Sequence, residues 1–129
     1  MPCDETPNGR SAMNKNPFRI DVHHHAVPRE YTKALEKIGI HDALGRPFPE
    51  WSAKKSLEVM DANGIAAAVA SISSPGVYFG DRSAARDIAR LCNELSAKMV
   101  SDRPSRFGAF ASLRLPVIGA SLEEIARAS

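Results

Sequence analysis

Arg19-Ile20-Asp21-Val22-His23-His24-His25 is a stretch in which an apolar strand runs into residues able to hold a metal ion. Side chains of an extended strand alternate between faces. The parity therefore places Asp21, His23 and His25 on one face and Ile20, Val22 and His24 on the other. Two imidazoles side by side can each present a ring nitrogen about 2.0–2.1 Å from one zinc or similar ion, provided other ligands complete the shell. Three consecutive histidines also fit a tag remnant, a solvated loop or a surface cluster. Against a tag stands their position between an apolar strand and Ala26-Val27-Pro28. His-X-His spacing alone decides little, because only distant residues complete such a site.

Other residues with chemistry are sparse. Arg46 lies in the stretch Ile40 to Glu50, which holds Gly45, Pro47 and Pro49 and reads as a loop. If that loop folds over the histidines, Arg46 could take a substrate carboxylate through two parallel hydrogen bonds. A solvated loop arginine is the simpler reading, and His41 in the same stretch shares it. Cys3 near the N-terminus and Cys92 on the apolar side of a predicted helix make neither a disulfide framework nor a thiolate metal site.

The elements that must position the histidines follow from punctuation and period. A first strand spans about Phe18 to His24. Pro28 suits the first turn of a helix carrying Tyr31, Ala34, Leu35 and Ile38, which ends near Ile38 with Gly39 as its left-handed cap. Ser52 can cap a second helix through Ala62, with Ala53, Leu57 and Met60 on one side and Asn63-Gly64 as its stop. Ile65 to Ile72 is nearly all apolar, as for a parallel strand covered on both faces, and the loop Ser73 to Gly80 then emerges at the same end of the sheet as His23 and His25. Asp81 can cap a long helix to about Ser101. Its apolar stripe is Ala85, Ile88, Ala89, Cys92, Leu95 and Met99, with Arg86, Arg90, Glu94 and Lys98 as a solvated row. Pro104 ends the connection, Phe107 to Ser112 form a third strand, and a last helix runs from Leu122 to Arg127. Strand followed by helix is the repeating unit, which argues an α/β fold with a parallel sheet.

Composition narrows the rest. The chain's 129 residues match one domain, and 43% hydrophobic residues suffice for a core. Seventeen Lys and Arg against fifteen Asp and Glu give +2, with the signs interspersed, so no nucleic-acid partner is expected. Residues 1–17 carry almost no apolar side chains and are expected to be a disordered tail. No run resembles a signal peptide or reaches the roughly 20 apolar residues of a membrane span, so a cytoplasmic protein without a membrane partner is expected.

Ile20 to Pro28, the nine residues around the histidines, resemble the first-strand signature of the amidohydrolase superfamily, in its amidohydrolase-related branch. That branch includes aminocarboxymuconate-semialdehyde and 6-methylsalicylate decarboxylases. Trp51-Ser52, Leu57 to Ile65, Ser71 to Gly76 and Pro104 to Phe110 resemble the same branch in the same order, so the likeness covers about residues 18 to 128. It implies a distorted (β/α)8 barrel with its active site at the carboxyl ends of the strands. Such a barrel takes about 250 residues, so residues 18–129 are expected to be an incomplete, N-terminal part holding about three strand–helix units. Its first and third strands would be open edges that invite self-association.

The resemblance also implies the chemistry. A divalent ion, zinc by expectation, would be held by His23 and His25, and a small-molecule carboxylic acid would be the substrate. The branch completes its metal site with a later histidine and an aspartate, and uses another histidine in catalysis. All four histidines here fall at or before His41, so no residue of this chain takes those roles, Asp102 included. Asp21 matches the first-strand motif with at most a role in orienting the histidines. The implied reaction is metal-dependent, oxygen-independent decarboxylation of an aromatic or unsaturated acid. Hydrolysis of an ester, lactone or amide by metal-bound water is one alternative, and a non-catalytic truncated fragment is another.

Overall fold

A computed structural model describes residues 18–128 of the protein. The expected tail, 1–17, and Cys3 lie outside the described residues. In chain order the elements are β1 (Arg19–Ala26), α1 (Arg29–Glu36), β2 (Asp42–Ala43), β3 (Arg46–Pro47), α2 (Ala53–Ala62), β4 (Ile65–Ile72), α3 (Arg82–Asp102), β5 (Phe107–Ala109) and α4 (Ile118–Ala128). As the alternation predicts, β1, β4 and β5 form a parallel sheet in the order β1-β4-β5, with β1 and β5 at its edges. No helix among the described residues is long and apolar enough to cross a membrane.

Capping chemistry sets most boundaries. Ser52 Oγ accepts the N–H of Lys55 at 3.2 Å to start α2, and Asp81 Oδ1 accepts the N–H of Ala84 at 2.8 Å to start α3. Gly64 adopts φ +64° where α2 must turn into β4, a conformation that glycine takes without a Cβ clash. Four boundaries differ from expectation. β1 runs on to Ala26 because His25 and Ala26 still pair with Ser71 and Ile72. The expected loop 40–50 holds the hairpin β2–β3, whose turn residues Leu44 and Gly45 both have positive φ. Asp42 Oδ1 steadies that turn by accepting the N–H of Gly45 at 2.8 Å. β5 stops at Ala109 rather than Ser112, and the N–H of Ser112 is taken by the side-chain oxygen of Asn93 at 2.6 Å. The last helix starts at Ile118, a turn ahead of Leu122.

The helices gather on one side of the sheet. Met60 of α2 and Met99 of α3 meet Ala26, Ala68, Ala70 and Phe107 from all three strands. Val27, Tyr31, Leu35, Val77, Ile88, Ala89 and Cys92 form a second cluster beside it, under α1 and α3. An all-apolar β4 predicts cover on both faces, but only the side of Ala68 and Ala70 is buried, while Ala67 and Val69, which alternate with them, are half-buried. Phe18, Ile20 and Val22 of the β1 segment are 75%, 54% and 65% exposed, so one face of the sheet is closed and the other open.

Candidate metal centre

β1 carries its histidines to the carboxyl end of the sheet, opposite the end of β4. There the Nε2 atoms of His23 and His25 lie 3.0 Å apart, with ring centroids separated by 4.9 Å. Two nitrogens about 2.0–2.1 Å from one ion would stand about 2.9–3.4 Å apart in octahedral or tetrahedral geometry. The pair therefore fits a shared ion, and both rings are exposed, leaving room for further ligands. Among the described residues no group of three or more histidines, cysteines or carboxylates that could hold an ion is formed. Ser73, at the start of the loop after β4, puts its Oγ 3.4 Å from Nδ1 of His25. A proton on Nδ1 directed at that hydroxyl leaves the Nε2 lone pair free to bind a ligand.

Uniform alternation does not survive in β1, and the exception aims the pair. Asp21 pairs with Ala68 and His24 with Ala70, so two intervening residues of β1 face one of β4. That is a β-bulge, which adds one residue and reverses the parity beyond it. Asp21 consequently associates with His24 instead of with the rings of His23 and His25. Its Oδ2 lies 3.0 Å from Nδ1 of His24, and its Oδ1 accepts the backbone N–H of His23 at 3.0 Å. These contacts, the His23 N–H first and the His24 ring next, hold the Asp21 carboxyl below the usual carboxylate range. His24 turns to the helix side, with Nε2 2.9 Å from Ser56 Oγ on α2 and its ring centroid 6.4 Å from that of Phe107.

The other sequence candidates are not drawn in. Arg46 sits exposed on the hairpin and His41 exposed just before it, and among the described residues no contact joins either to the histidine pair. Cys92 is buried in the core, where loss of solvation pushes its thiol up to about 12, the behaviour of a packing residue. Ser56 and Ser73 are the site-linked residues that sequence reasoning missed. Ser73 was reachable from topology, since the loop after β4 emerges beside the end of β1. Ser56 left one signal: it is a polar residue within the Ala53, Leu57 and Met60 stripe of α2.

Two clefts lie near these elements. One of about 420 Å³ is lined by Ile72, Pro75, Val77, Tyr78, Ser112 and Leu115, among others, and opens at the carboxyl ends of β4 and β5. Another of about 540 Å³ lies between α1 and the start of α2, lined by Arg29, Glu36, Glu50 and Lys55 among others. Neither histidine of the pair lines either cleft; the smaller one opens at the same end of the sheet as the pair, beside Ile72, the strand partner of Ala26.

No family model matches the chain. A decarboxylase of Aspergillus niger is 39% identical over 97 residues, which is 74% of this chain and 26% of that protein. The 6-methylsalicylic acid decarboxylase of Aspergillus aculeatus is 35% identical over 97 residues, 74% of this chain and 29% of that protein. A crystal structure of an amidohydrolase II matches 85% of this chain and 36% of its own, at 31% identity and a TM-score of 0.79. The relatives are amidohydrolase-family decarboxylases. A 2,6-dihydroxybenzoate decarboxylase solved with 2,6-dihydroxybenzoate matches 85% of this chain and 34% of its own, with 30% identity and a TM-score of 0.56. A dihydroxybenzoic acid decarboxylase of Polaromonas sp. JS666, solved with bound manganese, has a TM-score of 0.56 at 22% identity, matching 85% of this chain and 33% of its own; at that identity the likeness is one of fold. The chain spans between a quarter and a third of the length of the two curated relatives.

Proposed function

We propose that this chain forms the metal-bearing first part of a (β/α)8-barrel decarboxylase that removes carbon dioxide from an aromatic carboxylic acid without oxidation. The observation that carries the reading is the convergence of two imidazole nitrogens to 3.0 Å at the carboxyl end of β1, in a chain whose relatives decarboxylate hydroxylated benzoic acids. His23 and His25 would hold a divalent ion. Zinc and manganese are the candidates, since imidazole suits zinc and manganese is bound in one neighbour of the same fold. When bound, such an ion supplies Lewis acidity toward substrate oxygens.

The chain's own residues orient that chemistry. Ser73 can fix the His25 tautomer, Asp21 and His24 hold the strand segment between the ligands, and the cleft at the ends of β4 and β5 offers an apolar wall with Tyr78 to an aromatic ring. The remaining ligands and the group that protonates the ring carbon would come from outside residues 18–128. We assign no role to Arg46. The non-catalytic fragment is retained as the second reading, because only two metal donors converge among the described residues.

The test is carbon dioxide release from 6-methylsalicylate or 2,6-dihydroxybenzoate by metal-depleted protein in which this chain is joined to the rest of such a barrel, after addition of Zn²⁺ or Mn²⁺. Release that depends on the ion and disappears in His23→Ala and His25→Ala is the expected result. Ion binding with no turnover of either acid would favour the fragment reading. Turnover of an ester or amide in place of both acids would move the chain to the hydrolases.

A further inference from the structure

We infer that His24 and Ser56 are positioning residues for the His23–His25 pair, acting through Asp21 from the opposite face of the sheet. The inference rests on reading that pair as a metal site. Four groups form an unbroken string from helix to strand. Ser56 Oγ lies 2.9 Å from Nε2 of His24, Nδ1 of His24 lies 3.0 Å from Asp21 Oδ2, and Asp21 Oδ1 accepts the N–H of His23 at 3.0 Å.

The polarity of the string is fixed by its acid. An ionised carboxylate only accepts, so Nδ1 of His24 carries a proton. In the neutral ring Nε2 is then an acceptor, and the Ser56 hydroxyl donates to it. Ser56 is itself immobile: it is 5% exposed and stands one turn before Met60, which is fully buried against the sheet.

The bulge explains why such a string is needed. An inserted residue interrupts the ladder and frees a backbone group from regular pairing. Here that group is the N–H of His23, and the Asp21 carboxylate satisfies it. Were the bulge to shift one residue along β1, past His23, that side chain alone would change faces, and His23 would leave His25 for the helix side. Asp21 clamps the bulge, His24 fixes Asp21, and Ser56 fixes His24 to α2. A string that served only to satisfy buried polar groups would leave the ring pair unchanged when broken.

The experiment uses the whole metal-free chain with labelled histidines. Three quantities are read: the nuclear Overhauser contact between the ring protons of His23 and His25, the hydrogen-exchange rate of the His23 amide, and Zn²⁺ affinity. Ser56→Ala removes the hydroxyl at a helix position where alanine is well tolerated. It should weaken the ring-to-ring contact, raise His23 amide exchange about tenfold and lower Zn²⁺ affinity about tenfold, the lower end of what supporting partners contribute at metal sites. Ser56→Thr should restore all three. His24→Ala should have the larger effect; should alanine at either position unfold the chain, Ser56→Cys repeats the measurement with a poorer donor of similar size. Retention of the ring contact and of the protected amide in folded Ser56→Ala would overturn the inference, as would absence of the contact in the unmutated chain. An unmutated chain that shows the contact but binds no Zn²⁺ would instead refute the metal reading, while the ring contact still decides positioning.

Discussion

The two faces of the sheet are built on different terms. On the helix side, apolar residues of β1, β4 and β5 meet Met60 and Met99, and two of the polar side chains that enter are partnered, His24 by Asp21 and Ser56 and Tyr31 by the backbone of Gly76, while the buried Nε1 of Trp51 is not. On the other face Ile20 and Val22 stand exposed, next in line to His23 and His25. The first face supplies rigidity and the second carries the histidine pair proposed to hold the ion, and the β-bulge between Asp21 and His24 is where β1 changes from one face to the other. A metal-binding residue gains from this division. Its backbone is anchored by a packed core while its ring remains accessible.

If the faces differ as described, mutations on the closed side should dominate stability. Met60→Ala should cost about 2–5 kcal/mol, the range for truncating a fully buried residue of this kind, and should shift the urea midpoint accordingly. A loss below about 1 kcal/mol would mean that the closed face is loosely packed and the comparison is wrong.

A smaller effect is expected from the polar contact that docks α4 on α3. Asn93 on α3 donates to Glu124 Oε1 at 2.7 Å and to the backbone oxygen of Ser112 at 3.1 Å, and Arg127 grips both oxygens of Glu124. The Arg127 guanidinium, aided by Asn93, holds the Glu124 carboxyl down to about 2, below its ordinary 4.5. A folded-state value below the unfolded one gives stability that is fully present above about pH 4.5 and is lost as pH falls through about 2. Thermal melting between pH 6 and pH 2 should show that decline, and Glu124→Gln should remove its share of the pH dependence while lowering stability at neutral pH. An unchanged acid limb in Glu124→Gln would show that other carboxylates carry it.

Much of the closed face was legible because its determinants are local. The caps Ser52 and Asp81, the stop at Asn63-Gly64 and the apolar run from Ile65 to Ile72 place α2, α3 and β4 within a residue or so of their observed limits. That the rings of His23 and His25 stand side by side was legible from spacing, because a bulge ahead of His23 leaves the His23 to His25 interval untouched. What escaped depends on partners distant in sequence. The parity of Asp21 is set by pairing with β4, and no residue between Ile20 and His25 is a glycine that would mark a bulge. The hairpin turn uses Leu44 at φ 55°, a residue type with no preference for that region. Asn93 and Glu124 look like surface residues in their own helices, and only the docking of α4 buries them. That β4 is covered on one face could not be read from its composition, since an all-apolar strand says what it tolerates and not what is packed against it.

The smallest effect belongs to the open face and tests the comparison from its other side. Val22 is 65% exposed, so replacing it with serine removes little buried area, and Val22→Ser should change unfolding stability by no more than about 0.5 kcal/mol at any protein concentration. The contrast with Met60→Ala is the point, since both residues are apolar, one on the helix packed against the closed face of the sheet and the other on its open face. A loss for Val22→Ser that grows with protein concentration would mean that copies of the chain cover this face for one another, as two open sheet edges invite. A loss of several kcal/mol independent of concentration would mean that the face is covered within a single chain. The His23–His25 pair would in that case work from a buried site, with ligands limited to those the covering segment admits, and not from the accessible end of a strand.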